Sequence, residues 1–203
     1  IYVRGDRADF DSWAAHGAKG WSYEELLPHF VRTEDQQRSE EEFTKPWHGR
    51  GGPLTANNLH NPHPVSLAMV KAAIQAGMPA CKDFNNGHPA GAGLFQVNLK
   101  NGQRSSIARN AIEPAMQRRN LDVRIQVLVT RIGIEAQRAR TVHWKDKAGG
   151  SHSARANKEI LLCAGALQSP QLLMLSGIGP AQHLREMGIE VKVDLPGVGA
   201  NLQ

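Results

Sequence analysis

The run KEILLCAGALQSPQLLMLSGIGP, residues 158–180, constrains this chain more than any other segment. From Ile160 to Ala164 it is continuously apolar, so successive side chains do not alternate between a wet and a dry face. A strand of that kind is expected to be buried on both faces, as in α/β sheets covered by helices. Cys163, inside it, is then expected to be a core thiol. Gly165 and Ala166 follow, Ser169 is placed to cap a short helix with Pro170 at its first position, and Gly177 is placed to end it. Between Gly165 and Pro180 there is no acid, base or metal ligand. Small side chains at the carboxyl end of a buried strand let backbone approach a flat ligand, and ligands sit at that place in open α/β sheets. The same residues also serve tight strand–helix packing, and the residues alone leave both roles open.

The rest of the chain fits a mixed α/β class. Ser22 with Glu25 three residues later is a capping box before Leu26, Leu27, Phe30 and Val31, and Pro28 is expected to kink or divide that helix. Residues 32–53 are charged, then rich in Gly and Pro, and are expected to form a long surface loop. In residues 64–79, Val65, Met69, Ala72 and Ala73 repeat at helical spacing until Gly77 and Pro79. Phe95, Val97 and Leu99 alternate with Gln96, Asn98 and Lys100 before Asn101-Gly102, the pattern of a half-buried strand entering a tight turn. A short helix capped by Ser105 or Ser106 follows. Residues 121–129 alternate as a strand, with antiparallel partners on either side of the Gly149-Gly150 turn. A short helix from Pro180 to Gly188 and a final strand from Ile189 complete the pattern. Three segments are expected, residues 1–53, 54–119 and 120–203.

Several function classes find little support. The 24 Lys and Arg exceed the 19 Asp and Glu, yet the densest basic cluster is Arg118, Arg119 and Arg124, without interleaved aromatics, so no nucleic-acid partner is expected. No apolar run reaches the roughly 20 residues that span a bilayer. The two cysteines, Cys81 and Cys163, have no metal or redox spacing, which suits a reducing compartment. Among nine histidines the closest pair is His60 and His63, with prolines at 62 and 64 and no further ligand, so no metal is expected and the histidines are read as surface residues. Met174 stands where a nucleophile elbow needs glycine, and GAGLFQ, GIGPAQ and GVGANL each lack the third glycine of a dinucleotide fingerprint.

The segment GALQSPQLLMLSGIGP resembles the second signature of the glucose–methanol–choline (GMC) oxidoreductases, FAD-dependent flavoproteins that oxidise alcohols. The opening IYVRGDRADFDSWAAHGAKGWSYEELLPHF, the segment NGQRSSIARNAIEPAMQRRNLDVRIQVLVTRI and the closing DLPGVGANLQ resemble other parts of that family in the same order, closest in style to bacterial choline-dehydrogenase-like enzymes. The resemblance implies a partial FAD-binding fold, with a β-meander, a buried strand, flanking helices and part of the substrate-domain framework. It implies FAD as cofactor, a small alcohol and an electron acceptor as partners, and hydride transfer to the flavin while a base removes the hydroxyl proton. Carried over by position, Val129 lies at the adenine edge, Cys163, Ala164 and Gly165 pass close to FAD, and Ile1 and Tyr2 lie near the flavin ring. Arg104 matches a recurring family arginine of structural role, and residues 38–53 match a variable loop at the substrate entrance or a subunit contact. The family's G-x-G-x-x-G fingerprint and its His/His or His/Asn pair are not in these 203 residues. The chain is therefore expected to be an internal piece of a longer enzyme, with no catalytic residue of its own, inactive alone and weak or empty for FAD. The other expectation is a non-catalytic segment that self-associates or binds a partner. Its compartment is expected to be the cytoplasm or the periphery of the inner membrane, which the residues do not fix.

Overall fold

A computed structural model of the chain describes residues 1–39, 46–87 and 89–202. They form two compact units, 1–122 and 123–203.

The first unit begins with α1 (Arg7–Ala15), capped by the Asp6 carboxylate, which accepts from the Ala8 N–H at 2.8 Å. Next comes α2 (Tyr23–Thr33), whose Ser22/Glu25 capping box is formed as expected. Pro28 does not divide α2. Both Pro28 and Glu24, whose carbonyl it leaves without a donor, are exposed, so water satisfies that carbonyl. Phe10 packs edge-on to Trp13 and against Tyr23 and Phe30, which fastens α1 to α2. The chain leaves α2 directly into β1 (Glu34–Gln36), which runs parallel to β2 (Leu54–Ala56). The expected surface loop is thus corrected at both ends. Glu34, Gln36, Arg38 and His48 are buried, because their polar atoms find partners inside the unit; residues 40–45 lie outside the described residues.

Helix α3 (Pro64–Gln75) has no buried residue, and Val65 and Met69, expected on its core face, are exposed. The face turned inward instead carries Leu67, Val70 and Ile74, which line a shared groove with Cys81 and Phe95. In residues 95–100 only β3 (Leu99–Lys100) is regular strand, and it pairs with β4 (Gln103–Arg104) across the Asn101-Gly102 turn. The expected alternation fails at its start, where Gln96 is buried and Phe95 exposed because the interior they meet is polar; Val97 and Leu99 are half-buried and Lys100 is exposed. A π-helical turn, Ala108–Ile112, and α4 (Glu113–Ala115) follow; the Ser106 hydroxyl accepts from the Arg109 N–H at 3.3 Å.

The second unit holds the antiparallel meander β5 (Leu128–Glu135), β6 (Arg138–Lys145) and β7 (Ser151–Arg155), in the order β5-β6-β7. Residues 121–127, expected as strand, are irregular. The Asp146 carboxylate closes the second turn by accepting from the Ala148 and Gly150 N–H groups. Helix α5 (Gly165–Leu175) packs on β5, and Gly177, at a φ of 87°, ends it. Beyond it, β8 (Ile178–Gly179) and β9 (Val193–Asp194) pair in parallel around α6 (Ala181–Glu186), and Leu184 is fully buried beneath them.

The continuous apolar run is the main departure. Residues 160–163 are not in a strand, and Leu161 is 78% exposed. A strand exists only by pairing, and among the described residues none pairs with this segment. Cys163 is accordingly exposed rather than a core thiol. Helix α5 starts at Gly165, four residues before the expected cap, so Ser169 lies inside the helix and does not cap it; its hydroxyl accepts from the Ala164 N–H at 3.1 Å.

Candidate functional site

In the first unit the polar interior converges on the N-terminal segment. The Tyr2 N–H donates to the Gln96 carbonyl at 2.7 Å, so residue 2 is bridged to residue 96. Asn85 holds the next peptides: its Oδ1 accepts from the Arg4 N–H at 2.7 Å and its Nδ2 donates to the Tyr2 carbonyl at 3.3 Å. The Arg4 guanidinium reaches Glu34 at 2.9 Å and the Trp47 carbonyl at 2.6 Å. His48 then bridges two carboxylates. Its Nδ1 lies 2.9 and 3.1 Å from the Glu34 oxygens and its Nε2 lies 2.7 Å from Asp83 Oδ2. Arg38 Nη1 donates to the same Asp83 oxygen at 2.9 Å, and the other oxygen accepts from the Asn85 N–H at 2.8 Å. Salt bridges buried to this degree persist because each charge has several partners.

Burial alone would favour neutral imidazole at His48, but the hydrogen bonds and charges of Asp83 and Glu34 outweigh it and raise the pKa. For Asp83, burial works against the carboxylate, and the bonds from His48 and the Asn85 N–H, with the charges of His48 and Arg38, outweigh it and lower the pKa. The Tyr2 phenol is pushed up, chiefly by burial and only partly countered by Arg4.

On the outer side of this segment, Ile1 and Tyr2 line a cavity of about 550 Å³ with Leu54, Val97, Arg104 and Ser105. Ile1 is 77% exposed. The cavity wall joins the apolar Ile1, Leu54, Val97, Leu99 and Ile107 to the polar Asn98, Arg104, Ser105 and Ser106, so it offers surface for a ring with both apolar and polar edges.

In the second unit, Cys163, Ala164 and Gly165 lie exposed at the start of α5. No side chain caps this helix end. Gly165 has a φ of 88°, a conformation disfavoured for residues with a Cβ, and a Cβ built there would meet nothing within 4 Å. Val129, on β5 opposite Trp144, is partly exposed. The residues expected at the cofactor thus fall into two groups, Ile1 and Tyr2 in one unit and Val129 and Cys163–Gly165 in the other.

The buried ring around His48 escaped sequence reasoning. One signal lay in HGRGG: a Cβ on Gly49 would stand 1.9 Å from the Val31 carbonyl oxygen, so this glycine marks close packing against the end of α2 rather than a flexible loop. Among the described residues, no group of three or more His, Cys, Asp and Glu could hold a metal ion.

The family model described as GMC oxidoreductase matches residues 1–203. The chain is 42% identical over 203 residues to an oxygen-dependent choline dehydrogenase of Rhizobium rhizogenes and 41% identical to one of Sinorhizobium medicae, covering all of this chain and 36% of each relative. The chain therefore spans about a third of the length of the curated relatives it matches. Among solved structures, an FAD-dependent oxidoreductase from Chaetomium thermophilum superposes with a TM-score of 0.90 at 35% identity, covering 100% of this chain and 37% of that one. Pyridoxine 4-oxidase from Mesorbium loti gives a TM-score of 0.83 at 32% identity, covering 96% and 38%. The mixed helix and strand architecture is that of the N-terminal, FAD-binding region in these folds.

Proposed function

This chain belongs to the GMC oxidoreductase family, and from that premise we propose that the protein carrying it is an FAD-dependent oxidoreductase acting on a primary alcohol, choline-like or other. Full-length coverage by the family model is the observation that carries this conclusion. The residues present also fit the cofactor. Gly165 turns its absent Cβ toward open space at an uncapped helix start, where a dinucleotide can lie against backbone. Val129 offers a partly exposed apolar edge of β5 for an adenine, and the Ile1–Tyr2 face of the cavity offers a wall for the flavin ring. Bound FAD supplies the hydride acceptor. This chain's own part is to present these surfaces and to hold Ile1 and Tyr2 in register through Asn85 and Gln96. His48 is no base for an alcohol, because both ring nitrogens are taken by carboxylates in a dry interior.

The alcohol, the electron acceptor, and a cytoplasmic or inner-membrane-peripheral location belong to this proposal. So does the inactivity of the 203 residues by themselves. The test compares this chain with the full-length protein for flavin absorbance after purification with added FAD and for alcohol-dependent dye reduction. The expected result is stoichiometric flavin and turnover in the full-length protein only. Turnover by the 203 residues alone would falsify the inactive-segment reading, and a flavin-free full-length protein would overturn the FAD assignment.

A second reading, a segment that self-associates, is favoured by one observation. Ile125, Leu161, Leu167 and Leu202 are each more than two-thirds exposed in the second unit.

A further inference from the structure

We propose that His48, as an imidazolium between Glu34 and Asp83, is a positioning residue: it closes a buried ring that fixes the Tyr2–Arg4 segment, and this segment loosens when His48 loses its proton.

The charge state follows from geometry. Neutral imidazole has one N–H, so one ring nitrogen would turn a lone pair toward a carboxylate oxygen less than 3 Å away, in a side chain with no exposed surface. Only the imidazolium donates in both directions. The ring it completes runs from the Arg4 guanidinium to Glu34, through His48 to Asp83, on to the Asn85 N–H, and from Asn85 Oδ1 back to the Arg4 N–H. Arg4 therefore appears in it twice, by side chain and by backbone. The link across His48 joins β1, which holds the side chain, to residues 83–85, which hold the backbone.

The charged and titratable groups around His48 among the described residues come from several elements. Glu34 comes from β1, Asp83 from residues 81–87, Arg4 and Tyr2 from the N-terminal segment, and Arg38 from the chain after β1. Arg50, on the loop beyond His48, donates to the Arg38 carbonyl at 2.8 Å. The Tyr2 phenol is held above its ordinary range by burial, and the Asp83 carboxyl below its own by the bonds and charges of His48 and Arg38. A proton lost from this cluster as pH rises above about 6.5 is thus assigned to His48. When it leaves, Glu34 keeps Arg4 and Asp83 keeps Arg38, but the direct Glu34–His48–Asp83 link is lost, leaving Arg4 and the longer path through Gln36, whose Nε2 donates to Glu34 at 3.0 Å and to Gln96 at 3.3 Å, and two lone-pair-bearing groups face each other in a dry site.

The test uses the 203-residue chain without cofactor. Amide hydrogen exchange at Arg4 is followed from about pH 5 to about pH 9, corrected for intrinsic rate, beside the ¹⁵N shifts of the His48 ring. Arg4 protection is expected to fall about tenfold with the His48 midpoint, while Ile132 in the second unit shows no step. In His48→Gln, which keeps a donor toward only one carboxylate, protection is low and flat with pH. Should that variant fail to fold, His48→Asn, whose shorter amide favours Glu34, provides the same comparison. Unchanged Arg4 protection across the His48 titration, or the same step in the variant, overturns the proposal. A second arm follows the visible flavin spectrum of the FAD-loaded full-length protein over the same range. This arm rests on the assignment of Ile1 and Tyr2 to the flavin, and a spectral step that disappears in the variant is expected. An exchange step without a spectral step overturns that assignment and supports the hold on the segment.

Discussion

Two residues bound the acid and alkaline stability of the first unit from opposite sides. His48 has a folded pKa above 6.5, so its contribution is complete below about that value and is lost as pH rises through the raised one. Asp83 has a folded pKa below 3.8, so its contribution is complete above that value and is lost as pH falls through the depressed one. Denaturant unfolding followed by tryptophan fluorescence is therefore expected to give a midpoint that is flat in mildly acidic solution and declines as pH rises through the raised His48 pKa. His48→Gln lowers the plateau and removes the alkaline decline; Asp83→Asn weakens the acid limb. An alkaline decline that survives in His48→Gln would assign it elsewhere.

At the scale of elements, one hydroxyl ties α5 to the meander. Ser176 Oγ accepts from the Ile132 N–H at 2.8 Å and donates to the Leu172 carbonyl at 2.6 Å, and all three residues are buried. Ser176→Ala strands a buried donor, at a cost of about 1–3 kcal/mol, read as a lower urea midpoint with an unchanged slope. Ser169→Ala, which removes only the exposed bond from the Ala164 N–H, is expected to cost under about 1 kcal/mol. A Ser176→Ala midpoint equal to wild type would mean that water replaces the hydroxyl. The contrast between these serines also marks what was legible. Features closed by neighbours in sequence were readable: the Ser22/Glu25 box, the Asn101-Gly102 turn, the Asp146–Gly150 turn and the helix stop at Gly177. Features closed by distant partners were not. The burial of Gln96 depends on what residue 2 and residues 34–38 bring to it, and the apolar pattern of residues 160–163 carries no record of which strand covers it. Likewise, the residues expected at the cofactor came from likeness to a family, whereas the ring that holds the segment of one of them, Tyr2, became visible only in three dimensions.

At the scale of the whole molecule, large apolar side chains of the second unit, Leu161 and Leu167 among them, stand exposed. Light scattering over increasing concentration is expected to show reversible self-association of the 203-residue chain, weakened by Leu161→Ser and Leu167→Ser together. A constant monomer mass would remove the self-associating reading. The ring in the first unit has a different consequence, set by the order in which a ribosome makes the chain. Arg4 is made 81 residues before its backbone partner Asn85. Until that partner arrives, Glu34 and His48 have unfinished company, because the ring cannot close before residues 83–85 have been made. The ring therefore closes only after residue 85 has emerged, and the Tyr2–Arg4 segment stays accessible to proteases and chaperones until then.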